Sequence, residues 1–109
     1  MNHKDLDVWT ESIELTKLIY NLTAKFPKEE MFSLTSQIRR ASVSVASNIA
    51  EGCAKNSKKE LLRHLDIALG SLSELETQLI ISKEIGFIND AEYSYIISNK
   101  IETIMKMLI

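Results

Sequence analysis

Apolar side chains recur along this chain at spacings of three and four, the period of helices that bury one face. Four such stretches are separated by three short breaks. The first runs from about Leu6 to Lys25, with Trp9, Ile13, Thr16, Tyr20 and Thr23 on one stripe and Val8, Leu15, Ile19, Leu22 and Phe26 beside it. Pro27 ends it, because proline lacks an amide donor and restricts the residue before it. The second runs from about Glu30 to Cys53, with Ile38, Ala41, Val45, Ile49 and Gly52 in line. Gly52 is expected to take the left-handed conformation that ends many helices.

A capping box, Ser57-Lys58-Lys59-Glu60, opens the third segment, which continues to about Ile85 and stops at Gly86. Its core stripe is Leu61, Leu65, Ala68, Leu72, Leu75 and Leu79. Leu62, Leu69 and Ile80 form a second stripe that widens the apolar arc to roughly 140°, enough to touch two neighbours or another subunit. The fourth starts at Asn89-Asp90-Ala91-Glu92 and carries Tyr93, Ile96, Ile97, Ile101, Ile104, Met105 and Leu108. Short links between long amphipathic helices favour antiparallel neighbours. The expected architecture is therefore all-α, one up-down-up-down four-helix bundle over residues 1–109.

The second helix is unusual in its side chains. From Gln37 to Gly52 it is crowded with Ser, Val and Ala, and Ser and Val are mediocre helix formers. Small side chains let a neighbouring helix approach closely, and such packing is what holds a helix of weak propensity. Arg39, Arg40, Asn48 and Glu51, set into this thin surface, need defined partners wherever they lose water.

Composition narrows the function. The chain has 109 residues, 45% hydrophobic and 26% charged, with one proline and three glycines. That is ordinary for a globular domain large enough to bury a core. One cysteine cannot form an internal disulfide, so a reducing cytoplasm is the expected setting. No apolar run approaches the roughly 20 residues of a membrane span, and Met1 to Asp7 lacks the apolar core of a signal peptide. No membrane partner is expected.

Catalytic patterns are missing. Di-iron bundles need Glu-x-x-His pairs, whereas neither His3 nor His64 has a Glu three residues before it. Glu60 and His64 read as an exposed helical pair. Cys53 reads as a buried or loop thiol without a His partner. The glycines form no phosphate-cradling loop, and the serines of the second helix lie at packing positions with no histidine beside them in sequence. No enzyme activity, metal or cofactor is expected.

What remains is polar and basic. The net charge is −2, yet residues 39–64 hold Arg39, Arg40, Lys55, Lys58, Lys59 and Arg63 against Glu51 and Glu60, a local +4. Arg40, Ser44, Ser47 and Glu51 share one stripe of the second helix, with Asn48 at its edge. Two readings stand for them: a hydrogen-bonded polar seam or subunit interface, favoured for Arg40, Ser44, Ser47, Asn48 and Glu51, and a docking patch for nucleic acid or protein. Lys55, Lys58, Lys59 and Arg63, with Arg39, are the candidate nucleic-acid contacts, since a basic loop at a helix start suits phosphate.

These residues also carry a family likeness. Asp5-Leu6-x-Val8-Trp9, Ile19-Tyr20, Phe26-Pro27-x-x-Glu30, the run from Gln37-x-Arg39-Arg40-Ala41 through Ser44-Val45 to Asn48-Ile49-Ala50-Glu51-Gly52, Ser57-x-x-Glu60 and Ala68-x-Gly70-Ser71-x-x-Glu74-Leu75 occur in order. Together they resemble the four-helix-bundle family named for proteins encoded in intervening sequences of bacterial 23S rRNA genes. Phe32-Ser33-Leu34 departs where the family usually has a glycine before the leucine, and Cys53 where an aromatic is common. The resemblance implies a bacterial cytoplasmic protein that assembles as a homopentameric ring. It also implies kinship with the accessory protein of diversity-generating retroelements, which is similar in fold, binds nucleic acid and works with a reverse transcriptase.

The resulting expectation is a non-enzymatic, ring-forming bundle that binds RNA, DNA or a nucleic-acid-associated protein. The alternative is a structural adaptor that recruits a protein partner without touching nucleic acid.

Overall fold

The computed structural model describes residues 1–109 and contains four long helices and no strand. They are α1 (Asp7–Thr23), α2 (Leu34–Ala54), α3 (Lys58–Glu84) and α4 (90–108). Cross-helix contacts give the topology. Arg39 on α2 reaches Thr23 while Thr16 reaches Ser42, so α1 and α2 run antiparallel. Gly52 faces Leu61 and His64, and Ser44 meets Ser71, so α2 and α3 are antiparallel too. Lys25 pairs with Glu92 and Glu11 with Lys100, which lays α4 back against α1. The up-down-up-down bundle expected from the helical periods is the observed one.

The core follows the apolar stripes. Leu15 and Ile19 of α1, Ile38, Val45 and Ile49 of α2, Leu72, Leu75 and Leu79 of α3, and Ile101 and Ile104 of α4 are fully buried. Leu62 and Ile80, the outer α3 stripe, remain substantially exposed. Three buried hydroxyls inside this apolar body return their protons to their own helix. Ser12 donates to Val8 O at 2.7 Å, Thr23 to Ile19 O at 2.7 Å and Ser82 to Gln78 O at 2.8 Å. Ser12, Thr23 and Ser82 thus sit at packing positions with their donors paired, whereas the buried Thr35 hydroxyl has no partner.

Helix ends correct several expectations. Gly52 lies inside α2 in helical conformation, and the left-handed glycine is Gly86, with φ +86°, where α3 stops. Glycine is required at position 52 for closeness instead: an added Cβ would fall 3.0 Å from His64 Cβ and 3.2 Å from Leu61 Cδ1. Helix α2 starts at Leu34 and not at Glu30, because Lys28–Glu30 form a 3-10 turn and the Ser33 hydroxyl bonds Glu30 Oε1 at 2.9 Å. That local bond competes with helix propagation. At the α3 start Ser57 Oγ accepts from Glu60 N at 3.3 Å, while the Glu60 carboxylate turns to Arg63 rather than back to Ser57. The full reciprocal box forms at Asn89 and Glu92.

Helix α4 is interrupted by a π turn over Ile97–Ile101 between α-helical Asp90–Ile96 and Glu102–Leu108. The wider turn re-phases the helix so that Ile96, Ile97, Ile101 and Ile104 all reach the core. No helix is long and apolar enough to cross a membrane.

Candidate functional site

The α2–α3 contact is lined by polar side chains from its middle to its upper end. Ser44 Oγ and Ser71 Oγ lie 2.8 Å apart across the helices. One turn on, Asn48 Nδ2 donates to Ser44 O at 2.9 Å and Ser44 Oγ at 3.1 Å. Asn48 Oδ1 lies 3.0 Å from His64 Nδ1, and His64 Nε2 lies 3.3 Å from Arg63 Nη2. Glu51 reaches within 3.9 Å of the same imidazole. The expected polar seam therefore exists for Ser44 and Asn48, while Glu51 is 62% exposed and makes no hydrogen bond to it, and the seam includes a residue not expected there.

That residue is His64. It was expected on the surface with Glu60, yet it is 4% exposed and packed over Gly52. His64 fits there because position 52 has no side chain, so its Cβ can approach the space that a Cβ on residue 52 would take. The sequence does carry a signal for it, since His64 falls between Leu61 and Ala68 on the stripe that faces α2.

Two expected seam members lie elsewhere. Arg40 is exposed at the margin of a shallow cleft shared with Gln37, Ala41, Ser44 and Glu74. Ser47 is exposed on the opposite flank, in a groove lined by Trp9, Ile13 and Val43. The turn of the helix carries Ser47 toward α1 and away from α3, while Arg40 stays on the α3 side beside Glu74, at the open edge of the contact.

The basic candidates also divide. Arg39 donates through Nε to Thr23 Oγ1 at 2.9 Å, and its guanidinium sits 4.5 Å over the Tyr20 ring. It clamps the end of α1, and 16 residues of helix place it about 24 Å from Lys55. Lys55, Lys58 and Lys59 are exposed and make no ion pair within the chain. They cluster at the α2–α3 turn, beside the α3 amino end with its partial positive charge. Arg63 joins them one turn later, held to Glu60 at 3.2 Å.

Elsewhere the polar groups brace the bundle. Glu92 bonds Lys25 Nζ at 2.7 Å and accepts from Asn89 N at 3.1 Å. The Lys25 hydrogen bond, then the Asn89 amide, hold its carboxyl below the usual glutamate value. Cys53 is buried with its sulfur 3.9 Å from the Met1 sulfur. No three His, Cys, Asp or Glu side chains converge on one point as metal ligands.

This arrangement defines a class: a small all-α bundle with one intimate, hydrogen-bonded helix pair and a lysine-rich end. The chain belongs to the 23S rRNA-intervening sequence protein family, whose model matches residues 4–109. It is similar in structure to a protein with unknown function from the S23 ribosomal protein family of Bacteroides thetaiotaomicron, known from a crystal structure. The TM-score is 0.85 at 29% identity, over 94% of this chain and 94% of that one. None of the curated proteins matches the chain.

Proposed function

We propose that this protein is a non-enzymatic, homo-oligomeric helical bundle that binds nucleic acid through its α2–α3 turn. The observation that carries the reading is the group Lys55, Lys58 and Lys59, exposed and without acidic partners in a chain of net charge −2. What sets these three apart is that they cluster at one turn, beside a tethered arginine. Such a cluster suits contacts to a phosphate backbone, which reward charge without requiring base readout. Assembly into a pentameric ring, the form the family resemblance implies, would repeat the cluster about the axis and multiply weak contacts by avidity.

Family membership supports the reading through its link to rRNA genes, and a cytoplasmic location agrees with it. The test is charge reversal of Lys55, Lys58, Lys59 and Arg63 to Glu. Binding to RNA or DNA is expected to disappear while assembly persists. Wild-type protein that binds neither at low salt would contradict the proposal.

The adaptor reading draws on a separate observation. Phe32 is 96% exposed in the α1–α2 connection, and Ile81 and Ile85 are exposed near the same end of α3. Solvent-facing apolar groups of this size suit a protein partner. Recovery of one partner by pull-down after nuclease treatment would favour it.

A further inference from the structure

Arg63 differs from the three lysines beside it in being held. Its Nε and Nη2 both contact Glu60 Oε1 at 3.2 Å, and Nη2 also contacts His64 Nε2 at 3.3 Å. The Nη1 edge has no protein partner, and the side chain is 55% exposed.

The His64 contact fixes a direction. A guanidinium can only donate, so His64 Nε2 must accept, and the ring proton must sit on Nδ1. From there it is donated to Asn48 Oδ1 at 3.0 Å. Asn48 can present that oxygen because its Nδ2 is committed to Ser44 O and Ser44 Oγ. Ser44 Oγ, accepting from Asn48, also shares a hydrogen bond with Ser71 Oγ at 2.8 Å. From Asn48 through His64 to Arg63 each group leaves the next one orientation, out to the surface.

The chain requires a neutral imidazole. A proton on Nε2 would set one donor against another and a cation beside the Arg63 guanidinium. The ionisable groups facing the ring are Glu51 from α2, 3.9 Å from Nδ1, and Arg63 from α3, with Glu60 reaching it through Arg63. A clamp between α2 and α3 needs only the Asn48 bond. The second ring nitrogen serves Arg63.

We propose that His64 is a positioning residue for Arg63, holding its guanidinium so that the free Nη1 edge meets a phosphate drawn in by Lys55, Lys58 and Lys59. This rests on the nucleic-acid reading of the same turn. A pre-oriented guanidinium gives up less conformational freedom on binding than a lysine, and its Nη1 hydrogens stay free to donate to a phosphate oxygen. The ordered contact is then Arg63, and the lysines supply attraction without fixed geometry.

The test pairs a spectroscopic and a binding measurement. The Arg63 Nε–H resonance is followed by NMR in the wild type, His64→Gln and Asn48→Ala. Affinity for a fluorescein-labelled single-stranded RNA is measured for the same proteins and for Arg63→Gln. The expected result is a dispersed Arg63 signal that shifts toward the free-arginine position in both seam variants, the Glu60 bond alone holding the side chain less firmly. Arg63→Gln weakens binding on the order of fivefold, and His64→Gln does nearly the same. The double variant His64→Gln/Arg63→Gln is no weaker than Arg63→Gln alone, the signature of one shared pathway. Should His64→Gln loosen the helix contact, Asn48→Ala, which keeps the ring, carries the same expectation. An Arg63 signal unchanged by either seam variant, or losses that add in the double variant, would overturn the proposal. A dispersed Arg63 signal in a wild type that binds no RNA would overturn the phosphate contact together with the nucleic-acid reading, and leave only the geometry of Arg63.

Discussion

Gly52 on α2 and His64 on α3 face each other so closely that a methyl group on the glycine would fall 3.0 Å from the histidine Cβ. Leu61 O, at 3.3 Å, closes the same space from the backbone side. Backbone cannot yield as a long side chain can, so Gly52→Ala must push α2 and α3 apart. Overpacking of this kind costs about 1–3 kcal/mol. Chemical denaturation should give a loss in that range, and an unchanged midpoint would show that the contact has slack.

Ser71 tests the interior of the seam. Ser71→Ala removes the partner of Ser44 Oγ at 2.8 Å, and the expected loss is about 1 kcal/mol. Asn48→Ala in the Ser71→Ala background should cost less than it does alone, since both act through Ser44. Additive losses measured by denaturation would separate the two bonds.

Much of this was legible beforehand. Ile38, Ala41, Val45 and Ile49 keep a helical period through a segment of weak propensity, and all are buried. Asn89 and Glu92 carry their cap in their spacing, as does Gly86 its stop. The burial of His64 was harder to see, because it depends on the partner at position 52 lacking a side chain. Its place on the stripe between Leu61 and Ala68 is a signal, but the close approach of Gly52 that makes room for it shows only in the fold. The π turn at Ile97–Ile101 was not readable either, since one shifted hydrogen-bond register leaves the composition of the helix unchanged. For the site, spacing alone grouped Arg39 with the lysines, and only the fold shows its guanidinium over Tyr20.

Glu92 couples stability to acid. Its carboxyl is held below the ordinary glutamate value of 4.5 by the Lys25 hydrogen bond and then by the Asn89 amide. A group with a lowered folded-state pKa stabilises fully above the unfolded value and loses that contribution as the pH falls through the lowered one. The melting temperature of the wild type should therefore fall as the pH drops below about 4.5. Glu92→Gln should be less stable at neutral pH and lose less on acidification. Parallel curves would show that the pairing has no energetic weight.

Arg40 and Glu51 test assembly. Arg40 makes no ion pair within the chain, Glu51 is 62% exposed, and both flank the small exposed side chains of α2. Charge reversal at either position should lower the oligomeric state in light scattering, as should a bulky residue in place of Ser47. A monomeric wild type would refute oligomer formation.

The salt dependence of RNA binding reaches the functional claim most directly. Four phosphate contacts from Lys55, Lys58, Lys59 and Arg63 predict that log K falls linearly with log salt with a slope of about −3 per protomer on a single strand, and that Lys-to-Glu reversal at the turn abolishes it. A wild-type affinity that ignores salt, or one untouched by that reversal, would contradict the account.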